Sequence, residues 1–193
     1  MKDTTHGLAP DTGAAALRYV RELLLADLEQ RPEPELPAGP ELERLAGAFV
    51  SLHKAGHLRG CMGWLEADQP LKAVLRHVAR NAAFDDPRFP ALRLEELAQC
   101  AVEITVLEPA RPVAGPEEIQ LGRHGVILAA RGRRAVFLPQ VAPEQGWTLE
   151  ETLTQLARKA GLAADAWRRE DCRLEVFEAQ VLREDSAPPP PGH

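Results

Sequence analysis

The sequence predicts an α+β fold: a single domain of two pseudo-symmetric hairpin–helix–strand halves, with an extra N-terminal helix. Three observations carry this expectation. Alternating apolar runs flanked by turn residues come in pairs, over 48–64 and again over 125–138. Each pair is followed by an apolar stripe of helical period and then by one more alternating run. Element starts recur after about 72–78 residues with little identity between the copies, so a pattern repeats rather than a sequence.

The elements follow in order. Leu17, Val20, Leu24 and Leu28 form an amphipathic stripe, with Asp11 or Thr12 as its cap. Pro32, Pro34, Pro37 and Pro40 then impose a non-helical connector, because proline lacks the N–H and fixes φ. Ala48–His53 and Leu58–Trp64 read as a hairpin turning at Lys54-Ala55-Gly56-His57. Asp68 is placed to cap a helix that buries Leu71, Val74, Leu75, Val78 and Ala82, and Asp85-Asp86-Pro87-Arg88-Phe89-Pro90 ends it. A helical turn at Glu95–Ala98 leads into a strand, Ala101–Leu107. The second hairpin, Gly125–Ala130 with Ala135–Leu138, turns at Arg131–Arg134. Thr148 and Glu151 have capping-box spacing ahead of Leu149, Leu153 and Leu156, and Gly161 is a natural stop. Leu174–Leu182 is the last strand. The domain is expected over 12–183, with a flexible N-terminus at 1–11 and a proline-rich disordered tail at 184–193.

Composition narrows the function. A net charge of −6 argues against a nucleic-acid binder, and Arg131, Arg133 and Arg134 bracket a turn rather than build a basic face. No apolar run reaches membrane-spanning length, and no basic segment precedes an apolar one at the N-terminus, so a cytoplasmic location is expected. Cys61, Cys100 and Cys172 lie far apart, which fits neither a disulfide framework nor a cysteine zinc site. Cys100 and Cys172 open apolar runs and read as core. His53 and His57 stand four apart but flank a hairpin turn, where that spacing does not align two ligands, so no metal is expected. There is no phosphate loop, dinucleotide fingerprint or iron–sulfur ligand set, and no cofactor is expected.

The segment Leu58-Arg59-Gly60-Cys61-Met62-Gly63 stands out. On a regular strand Leu58 and Met62 share one face while Arg59 and Cys61 share the other, which sets a guanidinium beside a thiol. Cys61 is therefore the candidate catalytic residue, with three readings open: reactive thiol, pocket wall, or packing where glycine-flanked backbones approach. Arg59, Gly60 and Gly63 are candidate substrate-binding residues around it. Asp85 and Asp86 can serve as acid and base, but Asp86 before a proline suits a turn locked by Arg88, the member expected to face a pocket. Phe89 reads as a core anchor. His124 is the candidate imidazole, with a turn histidine bonding backbone as the alternative. Gln140 joins the candidates because Phe137-Leu138-Pro139-Gln140 ends the strand that corresponds to Arg59–Gly63 in the second half.

Five ordered segments now make a resemblance visible: Leu58–Gly63, Asp86–Pro90, Gly122-Arg123-His124-Gly125, Phe137–Val141 and Lys159-Ala160-Gly161-Leu162. The chain resembles the AMME-syndrome candidate family, or AMMECR-one domain, called AmmeMemoRadiSam system protein A in prokaryotes. Met62 stands where the family pattern more often has isoleucine, a volume-tolerant exchange. The resemblance implies an α+β domain with two related halves and an association with a Memo-like protein and a radical-SAM protein. It carries no established reaction and no catalytic residues. Two functions follow as expectations. The first is an accessory or binding component acting with those two partners. The second is a thiol-dependent enzyme acting on a small anionic substrate in a cleft at Cys61 and Arg59.

Overall fold

The structure, a computed structural model, describes residues 7–184. In chain order the main elements are α1 (Pro10–Leu28), α2 (Pro40–Glu43), β1 (Ala48–Lys54), β2 (His57–Trp64), α3 (Leu71–Arg80), α4 (Leu94–Leu97), β3 (Cys100–Leu107), β4 (Arg111–Pro112), β5 (Gly125–Ala130), β6 (Arg133–Phe137), α5 (Val141–Gln145), α6 (Leu149–Lys159), β7 (Arg173–Phe177) and β8 (Ala179–Arg183). They form the expected α+β domain. It divides into two compact units, residues 7–107 with 180–184, and Glu108–Ala179.

Each unit has one sheet. Read from the second hairpin strand, the orders are β2-β1-β3-β8 and β6-β5-β7-β4, the same arrangement in both. Both hairpins turn through two residues of positive φ, Ala55-Gly56 at 50° and 78° and Arg131-Gly132 at 52° and 71°. Two positive φ values in a row match the right-handed twist of the flanking strands and select a tight hairpin.

The core of the first unit packs α1 and α3 with β1 and β3. Leu23, Leu24, Leu52, Leu71, Leu75 and Ile104 are fully buried there. The second core gathers Val126, Leu128, Leu153, Leu156 and Val176. Burying each such side chain contributes about 1.5–3 kcal/mol.

Several local features differ from the sequence reading. Helix α1 starts at Pro10 after Ala9, since proline at the first position already has a helical φ, and Asp11 and Thr12 lie inside it. The proline connector includes one turn, α2, which buries Leu42 and again opens on proline. Asp68 accepts from Trp64 Nε1 at 2.8 Å instead of capping α3, whose N-cap is Pro70. Thr148 and Glu151 do form the reciprocal capping box of α6. The run expected as one strand over Leu174–Leu182 breaks at Glu178: β7 pairs with β5, and β8 joins β3 in the other sheet. Leu8, within the N-terminus expected to be flexible, is buried, and the Gln180 side chain bonds both its amide and its carbonyl. Residues 1–6 and the tail from 185 onward lie outside the described residues.

Candidate functional site

β2 is an edge strand, and its regularity fails at one residue. Leu52 faces Gly60 and His53 faces Leu58, so Arg59 is the extra residue of a β-bulge. The bulge overturns the expected sharing of one face by Arg59 and Cys61, because an inserted residue breaks the two-residue alternation. Arg59 turns inward and is buried. Its Nε and Nη2 donate to the two Glu96 carboxylate oxygens of α4 at 3.2 and 2.9 Å, and Nη2 also reaches the Pro90 carbonyl at 2.9 Å. Cys100, rather than Cys61, is the thiol in its electrostatic surroundings. The guanidinium holds the Glu96 carboxyl down at about 2, against the opposing cost of burial, and Lys54 adds to the pull at 3.4 Å.

Gly60 is required by close approach. A Cβ there would collide with the carbonyl of Ala82, in the π-helical turn Asn81–Asp85 that extends α3. At Gly63 a Cβ would strike the Phe49 ring. These glycines let a helix end and a ring pack directly on strand backbone.

Cys61 is half-buried, and its backbone lies on the open edge of β2. Its N–H donates to Asp86 Oδ2 at 2.9 Å, and its carbonyl accepts from Arg88 Nη2 at 3.0 Å. Asp86 also binds Arg88 through Nε at 2.9 Å, Nη2 at 2.7 Å and the Arg88 amide at 3.1 Å. An aspartate and an arginine two residues apart thus act as a short substitute strand, satisfying the edge where no strand pairs. The Asp86 side chain is only 2% exposed. Arg88, helped by the Cys61 amide, holds its carboxyl far below the usual carboxylate range despite burial. Arg88 itself stays 54% exposed and is the guanidinium beside Cys61.

Phe89 is not the expected core anchor. It is half-buried between the two arginines, its ring centroid 5.8 Å from Arg59 and 5.5 Å from Arg88, and Phe84 packs on the core instead. His124 is buried in the second unit, where Nδ1 accepts from the Gln120 amide at 3.1 Å and closes its own turn. Gln140 lies in the same unit, half-buried at the start of α5, where its carbonyl accepts from the Glu144 amide at 3.0 Å. The structure therefore groups Arg59, Gly60, Cys61, Gly63 and Arg88 in the first unit and places His124 and Gln140 in the second. Glu96 and Lys54, the partners that neutralise and flank Arg59, carried no distinguishing signal in sequence. Among the described residues, no three His, Cys, Asp or Glu side chains are gathered to hold a metal ion.

A sequence model of the AMMECR1 family matches residues 17–182. The chain belongs to the AMMECR1 family. It is similar to the archaeal AMMECR1-family protein PF1979 of Pyrococcus furiosus, with 38% identity covering 88% of this chain and 85% of the relative. It is likewise similar to protein MK0488 of Methanopyrus kandleri, with 37% identity covering 92% and 91%. The crystal structure of the uncharacterized protein PH0010 from Pyrococcus horikoshii has a TM-score of 0.85 at 34% identity, covering 95% of this chain and 96% of that one. The AMMECR1 relationship thus spans both units and both sheets.

Proposed function

We propose that this AMMECR1-family chain is an accessory or binding component that acts with a Memo-like protein and a radical-SAM protein. One observation carries the reading. The charged groups around Leu58–Gly63 are committed to holding backbone and one another: Arg59 to Glu96, and Arg88 to Asp86 and the Cys61 carbonyl. The carboxylate beside Cys61, Asp86, accepts from the Cys61 N–H and from Arg88 through its two oxygens, so it is engaged with backbone and guanidinium rather than set as a base for the thiol. The shared strand order supports a second part of this reading, that the halves are counterparts of an internal repeat.

A second reading has its own observation. Arg88 lies beside Cys61 with most of its side chain exposed, an arrangement suited to receiving a small anionic substrate at a thiol. Cys61→Ser separates the two. A folded variant that still complements a strain deleted for the protein supports the accessory role, and failure to complement supports the thiol enzyme. Co-purification tests the partners directly. Glu95 is exposed, so Glu95→Lys should weaken capture of the Memo-like partner while the protein stays folded. Glu96 belongs to the Arg59 ion pair, and its reversal disturbs the fold rather than a surface.

A further inference from the structure

The two hairpins match pair for pair outward from their two-residue turns. Cys61 and Val136 occupy the same place, each in the fourth pair, opposite Ser51 and Ile127. In such a hairpin this is a pair whose N–H and C=O groups point away from the partner strand. Both β2 and β6 are sheet edges, so at both positions a backbone N–H and C=O face outward side by side.

In the first hairpin an ion pair closes that edge: Asp86 takes the Cys61 N–H, Arg88 takes the Cys61 carbonyl, and the two bind each other. The second hairpin has the cationic half of the same device. Lys159 Nζ, from the last turn of α6, donates to the Val136 carbonyl at 2.9 Å. It lies 5.0 Å from the centroid of Phe137, whose ring is 5.7 Å from that of Trp147. Among the described residues, no carboxylate accepts the Val136 N–H or pairs with Lys159, whereas Lys54 and Lys72 each pair with a glutamate. Lys159 is exposed as a residue, yet partial desolvation pushes its ammonium down.

We propose that this edge of the second unit is a carboxylate-binding site. The incoming carboxylate bridges the Val136 N–H and Lys159 Nζ, as Asp86 bridges the Cys61 N–H and Arg88. Phe137 and Trp147 beside it suit an acid with an apolar or aromatic body. The inference goes beyond the proposed function, since it assigns ligand chemistry to a different unit and does not depend on Cys61.

The test is a proton–nitrogen NMR titration of the intact protein with sodium benzoate, with sodium chloride at matched ionic strength as the control. A saturable shift of the Val136 amide, absent with chloride, is expected. Lys159→Met should weaken benzoate binding at least tenfold. Val136→Pro removes the outward N–H without breaking a ladder hydrogen bond, at an edge position where a strand tolerates proline, and should weaken binding similarly. A short peptide with a free C-terminus that binds tighter than its amidated form assigns the site to polypeptide carboxylates; equal binding of the two, below benzoate, assigns it to small acids. A Val136 amide that does not move, moves equally in chloride, or responds unchanged in Lys159→Met overturns the proposal, as does benzoate binding that Val136→Pro leaves unweakened, read from the neighbouring amides.

Discussion

Asp86 supports the Leu58–Gly63 segment through four contacts made by one buried carboxylate. Asp86→Ala leaves the Cys61 amide without an acceptor and Arg88 without its anchor, and should lower stability by about 2–4 kcal/mol, read from urea unfolding. Asp86→Asn keeps an acceptor oxygen and should cost less. The pH dependence has a definite sign. Asp86 and Glu96 titrate lower in the folded chain than in the unfolded one, so their ionised forms stabilise the fold above the ordinary carboxylate pKa. That contribution is lost as pH falls through the folded values, about 2 for Glu96. The urea midpoint should drop as pH falls below about 4.5, and Glu96→Gln should flatten part of the drop. The three thiols should also separate. Cys100 is buried while Cys61 and Cys172 are both half-buried. Burial pushes Cys100 and Cys172 up, with Asp171 adding to it at Cys172, whereas Cys61 has Arg88 beside it, so iodoacetamide at neutral pH should label Cys61 first, as mass spectrometry will read. Equal protection of all three would make Cys61 a packing residue. Sequence singled out Cys61 and Arg88 separately and set Arg59 beside Cys61, whereas the bulge, which has no signature in alternation, turns Arg59 to Glu96.

At the scale of elements, the hairpin β1–β2 is held by its turn and by one close approach. Ala55 adopts a φ of 50°, a conformation that costs a residue with a Cβ and suits asparagine. Ala55→Asn should therefore raise stability by about 0.5–1 kcal/mol, measured as a shift in the urea midpoint at unchanged slope. Gly60→Ala should do the opposite by several-fold more, about 2 kcal/mol or above, since its methyl group meets the Ala82 carbonyl rather than a flexible side chain. An Ala variant as stable as the parent would show that the π-helical turn gives way freely. Helix α6 was legible to its ends, because a capping box and a terminal glycine are short-range chemistry. Helix α3 was legible in its apolar face but not at its start, where Asp68 had a competing partner in Trp64.

Across the whole molecule, each unit carries its own core and a sheet with two interior strands, β1 and β3 in one, β5 and β7 in the other. Amide exchange should be slowest in those four strands and faster in the edge strands β2 and β6, apart from the Cys61 amide held by Asp86. A Cys61 amide exchanging as fast as its exposed neighbours would contradict the bond. The periods of 2 and 3.6 residues, the turn residues and the caps act over a few positions, so the sequence by itself determined the order of hairpin, helix and strand in both halves. Tertiary structure decided where β8 pairs, that Arg59 binds Glu96, and that Asp86 serves the backbone of Cys61. Those bonds join residues 25 and 37 apart, Asp86 to Cys61 and Glu96 to Arg59. Their partners meet only after the chain has folded back, and hydrophobic periodicity encodes which face is buried, not which buried or edge groups satisfy one another.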